Sequence, residues 1–574
     1  MRNNALIHFR RLSYPAVILL MVLYVLPLGL LLLSSVSEPT WGWDNYRRIL
    51  TQPGYLWTLG RTLGLAAAST SLALLIGYPL AYVIATTPRV WLRYGLIFCI
   101  ATPYLTSILI RTFAWQVLLG RIGLVTQGLE AVGLGTLNLM FNATAVIIGL
   151  THFLLPLMVL PLVSVMRKID LTLLRASSSL GAGRATGFVR IFIPNSLPGI
   201  EVGVVLCFVY GVGAFVTPAL LGGNSGRMLG ALIESAISQQ ADYGLAAAAS
   251  ILLALAVTAT VVLFRRGLGG GTQELVSPEL ASHREAKRQG LLLRGTLAVL
   301  AGLARRLDTS GLSRLPGLSE GYALLVALLV LLPQLVAIPI SLSSTRTLIF
   351  PPPGWSTQWY RNFFLSDWLD ALGTSLQIAL ATTLAATVIG AMAALGVVRG
   401  LAGRRASIAQ LLLICPLIFP SVIAAAAFFL VGLPLSLTDT RLGIVLAHFC
   451  VAMPFVFVIV SANVRMLDPS LERAAASLGA GTWEQLRRVM LPLLSGSLIS
   501  GAFFAFLASF DEASISIFLS GLHVKTLPRR MYEALQMESD PTVGVAAVLA
   551  MLATALAMLA YAGLARRRAA PFPT

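Results

Sequence analysis

The stretch D-P-S-L-E-R-A-A-A-S-L-G-A-G-T-W-E-Q-L-R-R-V-M-L-P, Asp468 to Pro492, decides how the rest of the chain is read. It is a polar island between two long apolar runs. Leu471 to Leu478 has helical spacing, with no proline and no β-branched residue. Gly479 and Gly481 supply the freedom for a sharp bend. Glu484 to Met490 is predicted to form a second short helix, and Pro492 marks the start of the next apolar run. Two short helices joined by a glycine elbow make a protrusion too small to be a domain. A near copy, D-L-T-L-L-R-A-S-S-S-L-G-A-G-R-A-T-G-F-V-R-I-F-I-P, lies at Asp170 to Pro194. The offset is 298 residues from the first position to the last. A pattern repeated at fixed offset is the signature of an internal repeat.

Working outward, the flanks are too apolar for a soluble protein. The chain is 57% hydrophobic and only 11% charged, where a soluble domain carries roughly a quarter charged residues. Mean hydropathy is +0.84. Runs long enough to cross a ~30 Å hydrocarbon core recur throughout. They fall at 14–34, 59–85, 94–118, 143–166, 198–221 and 243–264, then 322–342, 371–398, 408–432, 442–464, 495–520 and 542–565. The fold expected is an all-α polytopic membrane protein, with about twelve transmembrane helices as two direct six-helix repeats. Residues 1–264 form the first half, 265–320 a joining segment and 321–574 the second half. The first run is longer than a signal-peptide core and lacks a small-residue cleavage site after it, so a retained helix is expected.

The net charge of +18 records topology rather than nucleic-acid binding. Sorted by the loops that this count of spans creates, 29 of the 41 Lys and Arg lie on the side of the N-terminus, and the opposite side together with the segments themselves holds the remaining 12. The basic side is expected to be cytoplasmic. Both elbows, the N-terminus and Arg566-Arg567-Arg568 fall there. The four cysteines sit in apolar runs, at spacings that suit neither a disulfide framework nor a zinc site.

More than the elbow recurs. Asn45-Tyr46-Arg47 is echoed by Trp359-Tyr360-Arg361-Asn362; Thr62 to Ala85 is echoed by Ser375 to Val398 at an offset of 313. The offset shrinks because Gly120 to Asn142 is a longer connection than Pro434 to Leu442. Six spans per half give both copies one orientation, and parallel repeats place a pathway between them. Within the joining segment, Leu291 to Ala304 is apolar but interrupted by Arg294 and too short to span comfortably. It is expected to lie at the membrane interface of a cytoplasmic tether.

No enzyme motif appears. The three lysines, Lys168, Lys287 and Lys525, stand outside any G-x-x-x-x-G-K-[ST] pattern, and H-E-x-x-H and G-x-S-x-G are absent. The chain is therefore expected to be a transport subunit without its own ATPase site, cofactor or metal. His152 and His448, each in the fourth span of a half, are expected to hydrogen-bond neighbouring helices. Charges within spans are the functional candidates, because each costs a few kcal/mol, about 3, unless paired or wetted. They are Asp511 and Glu512 in the fifth span of the second half, where the first half has Gly213-Ala214, and Arg111 in the third span of the first. Lining of a substrate path and a buried pair of Arg111 with Asp511 or Glu512 both account for them.

The elbow resembles the EAA loop of permease subunits in binding-protein-dependent ABC importers. Glu472, Ala474, Ala475, Gly479 and Leu491-Pro492 match, with Arg473 between Glu and Ala. The first copy keeps Ala176, Gly181 and Ile193-Pro194, with Arg175 beside them, but has Leu174 in the place of Glu472. The resemblance implies that both loops are coupling helices seated on two copies of a separate ABC ATPase. It also implies a periplasmic or lipid-anchored binding protein, the bacterial inner membrane and cytoplasmic termini. P-Y-L-T-S-I-L-I-R-T-F-A-W (103–115) and G-A-F-V-T-P-A-L-L-G-G (213–223) resemble the first permease of the spermidine/putrescine importers. S-F-D-E-A-S-I-S-I-F-L-S-G (509–521), T-L-P-R-R-M-Y-E (526–533) and D-P-T (540–542) resemble the second. That likeness implies a polyamine or related cationic amine, for which Asp511, Glu512, Trp115 and Tyr104 offer carboxylates and aromatic faces. Fused permeases for ferric iron or aminoethylphosphonate share the architecture, and an ion-driven secondary transporter is the alternative from a different class.

Overall fold

The computed structural model describes residues 2–104, 106–133, 138–268, 318–537 and 541–569. Most of the joining segment, with the stretch 291–304 expected at the interface, lies outside them. Among the described residues eleven helices are long and apolar enough to cross a membrane. Gly403–Ile418 and Ser421–Gly432, bent by 98°, supply a twelfth as a pair. The expected segments match these spans to within a few residues at most ends.

The larger differences lie at helix breaks. The third and fifth expected segments of each half are not single rods. The third is Val90–Tyr104 then Ile108–Leu119 in the first half, and the bent pair in the second. Phe419 leaves the helical region because the ring of Pro420 disfavours it there. Ser107 restarts the helix in the first half, its hydroxyl accepting the Leu109 N–H at 3.3 Å. The fifth is Ile193–Val212 then Val216–Leu221, and Leu491–Phe510 then Ser514–Leu519. The breaks fall at 213–215 and 511–513, the same offset apart as the elbows.

The second short helix expected at Glu484 to Met490 is not separate. Thr482–Phe510 runs as one helix, with a π-helical turn at Leu486–Met490. The first copy does the same, with its π turn at Phe188–Phe192. Each π turn precedes Pro492 or Pro194. A proline lacks the N–H for an ordinary helical bond and crowds the carbonyl one turn back, and the wider turn relieves both.

The repeat extends to single hydrogen bonds. Thr62 accepts the Leu229 N–H at 2.8 Å, and Ser375 accepts the Leu527 N–H at 2.8 Å. Ser35 bonds Tyr46 at 2.8 Å, and Ser341 bonds Tyr360 at 3.0 Å.

The halves exchange their first spans. The first part of the N-terminal span, Arg2–Leu20, packs along Asp367–Gly400 of the second half, and Leu26–Ser37 lies between Tyr243–Leu268 of its own half and Ser421–Gly432 of the other. Gly396 and Gly400 make this possible, since a side-chain carbon at either would overlap the backbone of Ser13 or Arg10. Reciprocally, Ser319–Ser341 packs against the first half. Tyr322 there donates to the Ile76 carbonyl at 2.8 Å, and Val330 O lies 2.9 Å from His152 Nε2.

Candidate functional site

The two elbows have the same atomic construction. Asp468 caps Pro469–Ser477 by accepting the Ser470 N–H at 2.8 Å, and Asp170 accepts the Thr172 N–H at 2.9 Å. Hydrogen bonds from Ser470 and from Thr172 hold these carboxyls below the ordinary range. At the other end each helix closes in a Schellman motif. Gly479 N–H bonds Ala476 O at 3.1 Å and Ala480 N–H bonds Ala475 O at 3.0 Å. In the first half, Gly181 N–H bonds Ser178 O and Ala182 N–H bonds Ser177 O, both at 3.0 Å. Gly479 has φ +86° and Gly181 φ +83°, a region that glycine enters without strain. Neither short helix contains a buried residue. Leu478 and Leu180, beside the glycines, are each 88% exposed. Arg175, Ala176 and Ala474 are exposed as well, and Ala475 is half-buried.

Glu472 behaves differently from its neighbours. It accepts a hydrogen bond from Arg399 Nε at 2.9 Å, and Arg399 also donates to the Leu467 carbonyl at 2.9 Å. Leu174, at the matching place in the first half, is half-buried and packs against the apolar core of that half.

The four helix breaks converge on a cavity of about 230 Å³ between the halves. Tyr104, Arg111 and Gly213 line it from the first half, and Pro420, Asp511 and Glu512 from the second. Arg111 is only 3% exposed, and its guanidinium stacks 4.9 Å from the Phe153 ring centre. Its Nε reaches Ser107 O at 3.5 Å, the limit of a hydrogen bond. Arg111 Nη1 and Asp511 Oδ1 are buried and lack a hydrogen-bond partner. The two groups face each other electrostatically without closing an ion pair.

Glu512 is committed to the backbone. One of its carboxylate oxygens accepts the Ile515 N–H at 2.6 Å and the Ser516 N–H at 3.2 Å, starting the helix after the break. His448 stands behind it, 3.0 Å from Ser509 Oγ and 3.2 Å from Ser516 Oγ, so both ring nitrogens serve neighbouring segments. Trp115 does not line the cavity. It lies one turn beyond Arg111, with its ring edge-to-face with His152 at 5.7 Å. The structure thus brings together Tyr104, Arg111, Asp511 and Glu512 of the residues singled out. It adds walls that the sequence reading missed: Tyr210, Phe215, Phe419, Pro420 and Phe504. Among the described residues no cluster of three His, Cys, Asp or Glu side chains could hold a metal.

At the end of the bundle remote from the elbows, Asp439 ties two loops together. Its carboxylate accepts N–H bonds from Gly521, Leu522, His523 and Val524 at 2.8–3.2 Å, and it lies 2.8 Å from His523 Nδ1. Partial burial opposes its ionisation, but these donors outweigh burial and hold the carboxyl at about 2.

Twin elbows, twin broken helices and a cavity between parallel halves define an ABC-importer permease. The family of binding-protein-dependent transport system inner membrane components matches residues 60–267 and again 386–570, and the chain belongs to it. The spermidine/putrescine transport system permease protein PotB of Salmonella typhimurium is 35% identical over 225 residues, covering 39% of this chain and 78% of that protein. The putrescine transport system permease protein PotI of Escherichia coli is 32% identical over 224 residues, covering 38% of this chain and 79% of PotI. Each relative thus corresponds to one half, and this chain is a fused permease pair. A solved bacterial ABC transporter that imports alginate matches at 20% identity, with a TM-score of 0.39, over 44% of this chain and 91% of that one.

Proposed function

We propose that this chain forms the translocation path of an ATP-driven importer for a polyamine or related cationic amine. It lies in the bacterial inner membrane with both termini cytoplasmic, as the basic residues on that side favour. A periplasmic or lipid-anchored binding protein delivers the solute. Two copies of a separate ATPase grip the loops carrying Arg175, Ala176 and Gly181, and Glu472, Ala474, Ala475 and Gly479. ATP binding draws the elbows together and opens the cavity to the outside.

One observation carries the choice of solute. Asp511 lines the cavity between the halves among aromatic rings, and one of its carboxylate oxygens lies buried in the wall without a hydrogen-bond partner. An ammonium group gains from both, through charge and through the ring quadrupole. Tyr104 and Phe504 supply faces at the wall, Glu512 shapes it by starting the helix after the break, and Trp115 supports the helix that carries Arg111. A second reading, a solute that joins an amine to an anionic group, is favoured by the unpartnered Arg111 Nη1 on the same wall.

The test is uptake by cells expressing the chain with its ATPase and binding protein. Labelled putrescine and labelled 2-aminoethylphosphonate are offered separately, each with spermidine or ferric iron as competitor. Uptake of putrescine that spermidine competes supports the first reading, and uptake of the phosphonate without uptake of putrescine moves the assignment to the second. Uptake by the purified chain in liposomes, driven by an ion gradient without any ATPase, would overturn both.

A further inference from the structure

We infer that Glu472 is a positioning residue that acts through Arg399, and that this pair lets the second elbow pull on both halves at once. The inference rests on the reading of the elbows as ATPase-coupling loops.

Three observations carry it. First, the Glu472 carboxylate is turned into the protein rather than presented to a partner. Its side chain is 17% exposed and that of Arg399 14%, and they meet at 2.9 Å. An ion pair this sheltered keeps more of its Coulomb attraction than an exposed one. Second, Arg399 closes a triangle. Its other nitrogen donates to the Leu467 carbonyl, the last residue before the elbow. The guanidinium therefore clamps both the start of the elbow and its first helix to the end of Asp367–Gly400. Third, Arg399 lies between Gly396 and Gly400, the two positions where the first span of the opposite half seats its backbone. A force on the second elbow thus reaches the second span of its own half and, at the same turn, the first span of the other.

Among the described residues the first elbow shows no matching guanidinium clamp at its first helix. Leu174 replaces Glu472, and at the offset of 313 Thr86 stands in the place of Arg399. The glycine seats are lost as well, with Val83 and Thr87 at the positions of Gly396 and Gly400. Leu174 is held by apolar contact alone among the described residues, which lets the loop slide where a two-point guanidinium clamp does not. The two ATPase contacts are mechanically unequal although the elbows are alike in shape.

The experiment uses the full complex of chain, ATPase and binding protein in proteoliposomes, reading solute transported per ATP hydrolysed. Glu472→Gln, Glu472→Arg and Arg399→Glu are each expected to lower that ratio by about tenfold, the loss expected when a sheltered pair is broken. The double variant Glu472→Arg with Arg399→Glu is expected to recover most of it, because the clamp re-forms with reversed charges. Co-purification of the ATPase, measured on every variant, reports assembly and folding. If the double variant is no better than Glu472→Arg, or if Glu472→Arg sheds the ATPase while Arg399→Glu retains it, Glu472 contacts the ATPase directly and the inference is wrong. Gly479→Val in the same assay separates the two levels. Should it leave the ratio unchanged, the reading of the elbow itself fails. Should it lower the ratio while the 472 and 399 variants do not, only the clamp fails.

Discussion

Substitution of Gly479 isolates the part of the elbow that depends on backbone alone. At φ +86°, with no heavy atom within 4 Å of where a Cβ would sit, nothing but the torsion resists a side chain. Alanine there costs about 1–2 kcal/mol, which lowers the population of the bent loop by a factor of about 5 to 30. Valine, branched at Cβ, falls further outside the allowed region and costs roughly 2–3 kcal/mol. Asparagine visits this region more readily than either. Transport by the assembled complex is therefore expected to rank Gly, Asn, Ala, Val, with the Val variant at least about tenfold down. Thermal stability of the membrane domain should change little, because the short helix that Gly479 ends contains no buried residue. The same order is expected at Gly181, where φ is +83° and the space is equally open. The assay is uptake of labelled solute alongside ATP hydrolysis at matched expression. Transport by Gly479→Val within twofold of the parent, or a ranking with Ala above Asn, would refute the claim that the left-handed bend makes the docking shape.

The two carboxylates of the cavity should separate by assay. Asp511→Asn is expected to raise the KM for an amine by about tenfold, since it removes the negative charge that an ammonium group needs while keeping the side chain's size, whereas Glu512→Ala is expected to lower the melting temperature, because Ile515 and Ser516 lose their cap. Equal effects of both on KM, with no change in melting, would contradict that division. Asp439 yields a pH signature. Its carboxyl is held at about 2 in the folded state against about 3.9 when free, so its tie is intact above the free value and is lost as pH falls through 2. The stability gap between the parent and Asp439→Asn, followed by thermal melting, should stay constant from neutral pH to about 5 and shrink below about 4; a gap that widens on acidification would show the wrong sign. Gly390→Val is expected to cost about 1–3 kcal/mol by overpacking, because a Cβ there lies 2.9 Å from Val456 Cβ and 3.2 Å from the Met453 carbonyl. Thermal melting in detergent checks it.

The span count, the repeat and both elbows could be read from the sequence because each rests on a local pattern. An apolar run long enough for the bilayer has few other uses, and the D…G-A-G…P spacing recurs at one offset. The helix breaks were harder to see. Nothing in A-S-F-D-E-A-S says that the helix stops at Phe510, since Glu512 starts a new helix only once His448 and Ser516 are near it. Arg111 and Asp511 stood out by their cost in lipid, yet the sequence could not say that they would share a cavity wall without pairing. Trp115 was misplaced for the same reason: the rotation of a helix about its own axis is set by neighbours such as His152, and the hydrophobic pattern of a span buried on several sides does not encode it. Arg399 is 73 residues from Glu472, and only the packed bundle joins them.

The exchange of first spans has an architectural consequence. Each half is clasped by a helix belonging to the other, with Ser13 and Arg10 seated where a glycine admits no substitute. Covalent continuity between the halves then serves to guarantee one of each per molecule, while cohesion comes from the clasp. A chain nicked between residues 269 and 317 should stay together through solubilisation, as two interlocked hooks do when the cord between them is cut.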